Sequence, residues 1–303
     1  MIYRKYSDFL KERFNEKVYK LPVKLDLTCP NRDGSLGYGG CSFCGEEGGS
    51  FENQYGSVEE QLLKDKVVIQ KKYNAKKFIA YFQNFTNTYT SIENFKENIE
   101  QCLMEDVVGI SISTRPDCIP EIFLDYLEEI NKKVMVTLEL GLQTANYKTL
   151  YKINRGHGIA EFIDGVIRTH RRGIRVCAHV ILNLPYDDKL DTIETAKVLN
   201  ALNVEEVKVH ALYILKNTVL GNLYEKGNIE LITLEEYKDR VILFLQYLDD
   251  KIVVQRLIGR APEENSLFCN WDTSWWKIRD DIVEKMQINN FYQGQYIRKD
   301  MIV

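Results

Sequence analysis

VKLDLTCPNRDGSLGYGGCSFC, residues 23–44, joins a short apolar run to a glycine-rich loop carrying three cysteines. Val23, Leu25 and Leu27 alternate with Lys24 and Asp26, the two-residue period of a half-buried strand. The loop then spaces Cys29, Cys41 and Cys44 as C-x11-C-x2-C, with Gly34, Gly37, Gly39 and Gly40 between them. Parallel α/β folds gather their sites at the C-terminal ends of strands, so a ligand-bearing loop directly after a strand points to that fold class.

Further strand-like runs follow at 78–82, 107–112, 134–140, 175–182 and 207–212, six in all with 23–27. Between them lie stretches of helical period, clearest in Ile122, Phe123, Tyr126, Leu127 and Ile130 and in Phe162, Ile163, Val166 and Ile167. This alternation is the signature of parallel βαβ units. Six units fit an open doubly wound sheet or a barrel short of the usual eight strands, and periodicity does not choose between them. After residue 216 the pattern becomes a turn, a helix through Tyr237, Val241, Phe244, Leu245 and Leu248, a strand near 252–257 and an aromatic tail. The expected organisation is a helix within 1–22 packed on a core of 23–215, with 216–303 as an appended region too poor in apolar faces for its own core.

With 303 residues, 45% hydrophobic and 28% charged, the chain is long enough for a full core, and its net charge of −4 gives no field that draws nucleic acid indiscriminately. Neither DNA nor a membrane is expected as a partner, since no apolar run approaches the length of a span. Local basic clusters, Lys71, Lys72, Lys76 and Lys77 and then Arg168, Arg171, Arg172 and Arg175, read first as solvated helix ends. Seven cysteines with no secretory leader point to a reducing cytoplasm, where clustered thiols are metal ligands more often than disulfides.

Thiolates suit zinc or iron–sulfur centres. A structural zinc site wants four protein ligands, and no fourth Cys or His follows Cys44 within fifty residues. Three thiolates on a four-iron cluster leave one iron open, which is a catalytic arrangement. Cys102, Cys118, Cys177 and Cys269 show no ligand spacing.

The run CPNRDGSLGYGGCSFC resembles, almost residue for residue, the cluster loop of radical S-adenosylmethionine (SAM) enzymes, and more narrowly of their YhcC/YtqA-like branch. The resemblance implies a partial (β/α)6 TIM-like barrel of parallel strands with a C-terminal α+β extension. It implies a [4Fe-4S] cluster on Cys29, Cys41 and Cys44, SAM on the open iron, and reductive cleavage to a hydrogen-abstracting 5′-deoxyadenosyl radical. An electron donor such as flavodoxin or ferredoxin follows. The branch implies tRNA as substrate, with conversion of wobble carboxymethylaminomethyl-uridine to aminomethyl-uridine. A small-molecule or porphyrin-type substrate is the enzyme alternative, and a zinc-stabilised RNA-binding adaptor the alternative of another class.

Site residues follow by position. Phe43 matches the aromatic that lies against the adenine in the family. Gln83, Asn84 and Thr86, after the second strand, are expected at the cofactor or substrate mouth. Arg115, where Pro116 ends the third strand, is expected to hold a carboxylate. Alternation puts Glu139, Gly141 and Gln143 on one side of the fourth strand, in an element similar to one that meets the ribose in related enzymes. Arg155, in Asn154-Arg155-Gly156-His157, resembles the arginine that meets the methionine carboxylate. Asn183 stands where relatives usually have glycine. His210 and Tyr213 are further candidates to face substrate, and Trp271, Trp275 and Trp276 read as closing the barrel's open side.

Overall fold

A computed structural model describes residues 2–46, 48, 55–260 and 265–297. The elements run α1 (Tyr6–Phe14), β1 (Val18–Val23), α2 (Val58–Tyr73), β2 (Lys77–Phe82), α3 (Ile92–Glu100), β3 (Val107–Thr114), α4 (Glu121–Asn131) and β4 (Met135–Gln143). Then come α5 (Tyr147–Lys152), α6 (Ile159–His170), β5 (Arg175–Ile181), α7 (Lys189–Ala201), β6 (Glu206–His210) and β7 (Ile214–Leu215). The chain ends with α8 (Val219–Glu225), α9 (Leu234–Tyr247), β8 (Val253–Arg256), β9 (Ser266–Phe268) and α10 (Trp275–Ile288).

Seven strands pair in the order β1-β2-β3-β4-β5-β6-β8, every neighbouring pair parallel, while β7 and β9 form a small antiparallel ribbon. Laid flat, six strand spacings would separate β1 from β8 by roughly 28 Å. Yet Lys20 on β1 donates a 2.9 Å hydrogen bond to Gln255 on β8. The sheet therefore curls until its two edges face one another, giving a partial barrel rather than an open doubly wound sheet. The N-terminal segment lies along β8, with Val254 N–H donating to the Arg4 carbonyl.

The apolar core lies outside this barrel, between sheet and helices: Phe78, Ile110, Ile112, Val136, Leu138 and Val176 point out against Phe123, Leu127, Phe162 and Val166. Helix starts are fixed by side-chain caps: Ser57 and Glu60 form a capping box on α2, Asp188 and Asp191 one on α7, and Asn146 accepts two backbone N–H bonds at α5.

Two differences from the sequence reading concern the sheet edges. The first strand occupies Val18–Val23 rather than 23–27. Pro22 argues against a strand, but β1 pairs on one side only, where a missing donor is tolerated. Residues 24–27 instead lead into the cysteine loop, held where the Asn84 side chain bonds both backbone groups of Leu25. The strand expected near 252–257 is Val253–Arg256, and it joins the main sheet beside β6 as a seventh parallel strand.

Candidate active site

The cysteine loop is wound tightly on itself: Arg32 N–H donates to the Cys29 carbonyl, Gly40 N–H to Asn31 and Cys44 N–H to Cys41. It is clamped to the segment after α5. Asn31 donates to the Asn154 carbonyl at 2.7 Å, Asn154 returns a bond to Gly40 at 2.8 Å, and Ser42 N–H reaches the Ile153 carbonyl. Gly156, at φ +75°, is required here, because a Cβ would sit 2.5 Å from Asn31 Oδ1.

Cys29, Cys41 and Cys44 line one cavity, about 180 Å³, at the C-terminal ends of the strands. Each sulfur has its own guanidinium: Arg115 Nη1 at 4.0 Å from Cys29, Arg155 Nη1 at 3.6 Å from Cys41 and Arg32 Nη1 at 3.5 Å from Cys44. Burial, and then the neighbouring Cys41, push the Cys44 thiol up to about 11, with Arg32 opposing. Binding a metal centre there releases a proton and places thiolate charge against waiting cations.

The same cavity is lined by Phe43, Gln83, Thr86, Arg115, Glu139, Gln143 and Arg155. Gln143 sits at φ +73°, beside a register shift between β4 and β5, and Phe85 at φ +49°; strained backbone of this kind collects at functional sites. Gly141 is bare for Arg155, whose Nη2 lies 2.5 Å from where a Cβ would stand and donates to the Gly141 carbonyl. Thr86 Oγ1 and Arg155 Nε are buried without a partner.

Other expected residues have different partners from those expected. Asn84 and Asn183 are absent from the described cavity wall. Asn84 staples Leu25, and Asn183 accepts from Leu212 N–H at 2.6 Å, so each positions a loop. Arg115, expected to hold a substrate carboxylate, is 2% exposed, forks onto Asp117 at 2.6 and 2.9 Å, and donates to the Arg155 carbonyl. With those donors taken it braces the loops around Cys29 instead of presenting a free fork. Trp271 packs on Tyr237 and Phe268 and donates to Ile232, whereas Trp275 and Trp276 are 38% and 53% exposed. Arg168, Arg172 and Arg175 are ion-paired to carboxylates of this chain.

The barrel interior holds what strand periodicity does not flag. Glu139 accepts from Lys20 (2.5 Å), from Lys208 and from His179 (2.7 Å), while Lys208 also meets the Tyr81 hydroxyl at 3.0 Å. Burial, the largest single influence, opposes the Glu139 charge, but Lys20 and Lys208 overcome it and hold the carboxyl well below the usual range. Burial, and then Lys208, push His179 down to about 4, so it is neutral near pH 7. Among the described residues, Glu139, Cys177 and His179 are the one trio with ligand atoms within 4.8 Å of one another. A carboxylate already holding two ammonium groups repels a cation, so this trio is not a metal site. Cys29, Cys41 and Cys44 do not converge so tightly, as a single tetrahedral zinc would require.

A three-thiol site beneath the open end of a curled parallel sheet defines an α/β-barrel enzyme of the iron–sulfur type. Residues 29–199 match the Radical SAM superfamily and residues 204–287 the Radical_SAM C-terminal domain. The chain is 37% identical to YtqA of Bacillus subtilis (strain 168) over 98% of its length and 93% of that protein's. It is 33% identical to YhcC of Escherichia coli (strain K12) over 88% of its length and 86% of that protein's. The solved structure of the archaeal Methanocaldococcus infernus Elp3 shares the fold at TM-score 0.69 and 15% identity, over 91% of this chain and 64% of that one. The chain belongs to the radical SAM superfamily, in its YhcC/YtqA-like branch. Membership implies a [4Fe-4S] cluster and SAM. No helix among the described residues is long and apolar enough to cross a membrane.

Proposed function

We propose that this enzyme modifies the wobble uridine of tRNA, converting carboxymethylaminomethyl-uridine to aminomethyl-uridine. The observation that carries the radical chemistry is the cavity in which each of three thiols has an arginine within 4.0 Å. The donor set fits a cluster: the three sulfurs do not all lie within 4.8 Å of one another, and three cations oppose the charge that deprotonated thiols carry. When bound, the cluster and SAM supply one-electron cleavage to a hydrogen-abstracting 5′-deoxyadenosyl radical.

The chain's own residues hold and orient. Cys29, Cys41 and Cys44 ligate iron, and Phe43, at the cavity wall and packed towards Leu150 and Ile153, backs the adenine. Arg155, with its free Nε, takes the methionine carboxylate, and Gln143 and Thr86 take the ribose and amine side. Asn84 and Asn183 act through the loops they fix. The region 216–303 closes the barrel, and its exposed Trp275 and Trp276 offer flat surfaces to a base. The tRNA reading rests on the resemblance to the YhcC/YtqA-like branch, with the chemistry in the cytoplasm and electrons from a flavodoxin or ferredoxin.

Two measurements test this. Anaerobic iron and sulfide analysis is expected to give four of each per chain; one zinc and no iron in a folded protein defeats the enzyme reading. Mass spectrometry of tRNA nucleosides from a strain lacking the protein is expected to show carboxymethylaminomethyl-uridine accumulating, and unchanged wobble nucleosides remove the tRNA proposal.

A further inference from the structure

A second cavity, about 740 Å³, lies between the facing edges β1 and β8 and meets the cofactor cavity at Gln83, which lines both. Five cations line it, of which Lys5 is exposed and Arg279 lies beside Asp280; the other three, Lys20, Lys208 and Arg256, sit on the strands. Against them stands one carboxylate, Glu139, shared by the two lysines. Arg256 has no acid. Among the described residues its guanidinium meets only the His210 ring, at 2.6 and 3.1 Å, and its buried Nε has no partner. Burial and the adjacent guanidinium hold His210 well below the usual imidazole range, so His210 accepts a bond and cancels no charge.

Neighbouring charges are already matched. Arg279 pairs with Asp280, and Glu206 is divided between Arg175 and Gln255. Among Lys20, Lys208 and Arg256, two positive charges are thus left over in a partly buried cavity, an arrangement that costs the fold unless an anion completes it. A bound substrate is the natural source, and a guanidinium engaged only by a neutral imidazole favours an anion such as a carboxylate. Trp275 at the rim and Tyr81 on the wall suit a planar ring carrying it.

We propose that Arg256, with Lys208 and Lys20 behind it, binds the carboxylate of the substrate in the cavity between β1 and β8. The proposal rests on the reading of the adjoining cavity as the cofactor site, and it replaces Arg115 as the carboxylate holder. Glu139 and His179 line the cofactor cavity while Glu139 pairs with the cations of this one, so a carboxylate here lies one layer of side chains from the reaction centre.

The test uses the full chain and a probe reproducing the carboxymethylamino group, N-methylglycine, against N-methylethanolamine, which lacks the carboxylate. Thermal unfolding of the wild type is expected to shift upward with N-methylglycine only. Arg256→Gln is expected to unfold at a higher temperature than wild type without probe and to show no shift with it, whereas Arg171→Gln, an exposed control, behaves as wild type. An equal shift in Arg256→Gln, or a shift with both probes, overturns the proposal. Should Arg256→Gln not fold, Arg256→Lys keeps a charge without the fork, and its half-saturation by N-methylglycine is expected to rise about tenfold; an unchanged value overturns it equally. Loss of the shift in Arg256→Gln, together with unchanged wobble nucleosides in the deletion strain, keeps this carboxylate site and removes tRNA. Altered nucleosides with an unaffected Arg256→Gln do the reverse.

Discussion

The two cavities of the barrel balance charge in opposite ways. In the cofactor cavity each of three thiols faces an arginine from a different segment, Arg32, Arg115 or Arg155, so the chain supplies both signs. In the cavity between β1 and β8, the strand cations Lys20, Lys208 and Arg256 face one carboxylate, Glu139, and the chain leaves the sum unfinished. A site finished from within holds a resident group, and a site left charged waits for one that comes and goes. Both occupy the interior of a sheet whose outer face carries the apolar core, so the stability spent on unmatched charge comes from a separate layer of the fold.

The comparison breaks most sharply at the thiols. Cys29→Ala, Cys41→Ala or Cys44→Ala is each expected to abolish 5′-deoxyadenosine formation and to lower bound iron, while Cys269→Ala keeps both near wild type. Equal activity in the loop variants, read by chromatography of the nucleoside product, removes the distinction between the cavities at its source. Next in size is Glu139→Gln. It strands Lys20 and Lys208 together, and breaking a buried ion pair from one side costs about 3–5 kcal/mol, measurable by urea unfolding at pH 7. Because the folded pKa of Glu139 is depressed, its contribution is present above the ordinary carboxylate range and lost as pH falls through the folded value. The gap between Glu139→Gln and wild type should therefore close only in strong acid. Adding Lys208→Met to Glu139→Gln is expected to recover part of the loss.

The sequence reading succeeded where chemistry is local and failed where it depends on curvature. Three cysteines on one glycine-rich loop share a cavity once the loop closes, and Phe43 and Arg155, expected by resemblance, line that cavity too. β1 lies just before the expected run, with Pro22 tolerated because an edge strand needs only one pairing partner. Lys20 and Lys208 were not singled out, because only the curling of the sheet turns their face inward, onto Glu139. Arg256 sits in a region read as appended, yet its strand completes the sheet and brings it into the barrel. Asn84 was read as a mouth residue and Asn183 as a cofactor-side position where relatives have glycine, and polar side chains after strands line sites and staple loops equally well. Here the amides bond to backbone groups of Leu25 and Leu212.

A smaller effect is expected at Arg155, which links the cofactor cavity's charge balance to the bare carbonyl of Gly141. Removing a charge-assisted hydrogen bond is worth about 1.5–3 kcal/mol, so Arg155→Gln should lower the rate of 5′-deoxyadenosine formation about 10- to 100-fold while Cys41 still ligates iron. Full activity in Arg155→Gln would mean that the arginine-per-sulfur pattern is packing rather than chemistry.

Asp187 calibrates the other half of the comparison, because it is a partly buried carboxylate outside both cavities with one oxygen lacking a partner. Burial, only partly opposed by the Thr149 and Thr144 hydroxyls and by Arg240 and helped by the charge of Asp191, pushes its carboxyl up to about 6 from an ordinary 3.8. A raised folded pKa gives stability that is complete below the unfolded value and lost as pH rises through the folded one, so the ionised form weighs against the fold above about pH 6. A shift of this size is worth at most about 3 kcal/mol, and the new amide gives part of it back by needing partners of its own. Asp187→Asn should therefore stabilise the protein by about 1 kcal/mol at pH 7.5 and not at pH 4, by urea unfolding at the two pH values. A gain of that sign shows that this fold registers an unmatched buried charge as a cost, which is the premise on which the cations between β1 and β8 are read as waiting for a ligand. Identical unfolding at both pH values would remove that premise while leaving the thiol site untouched.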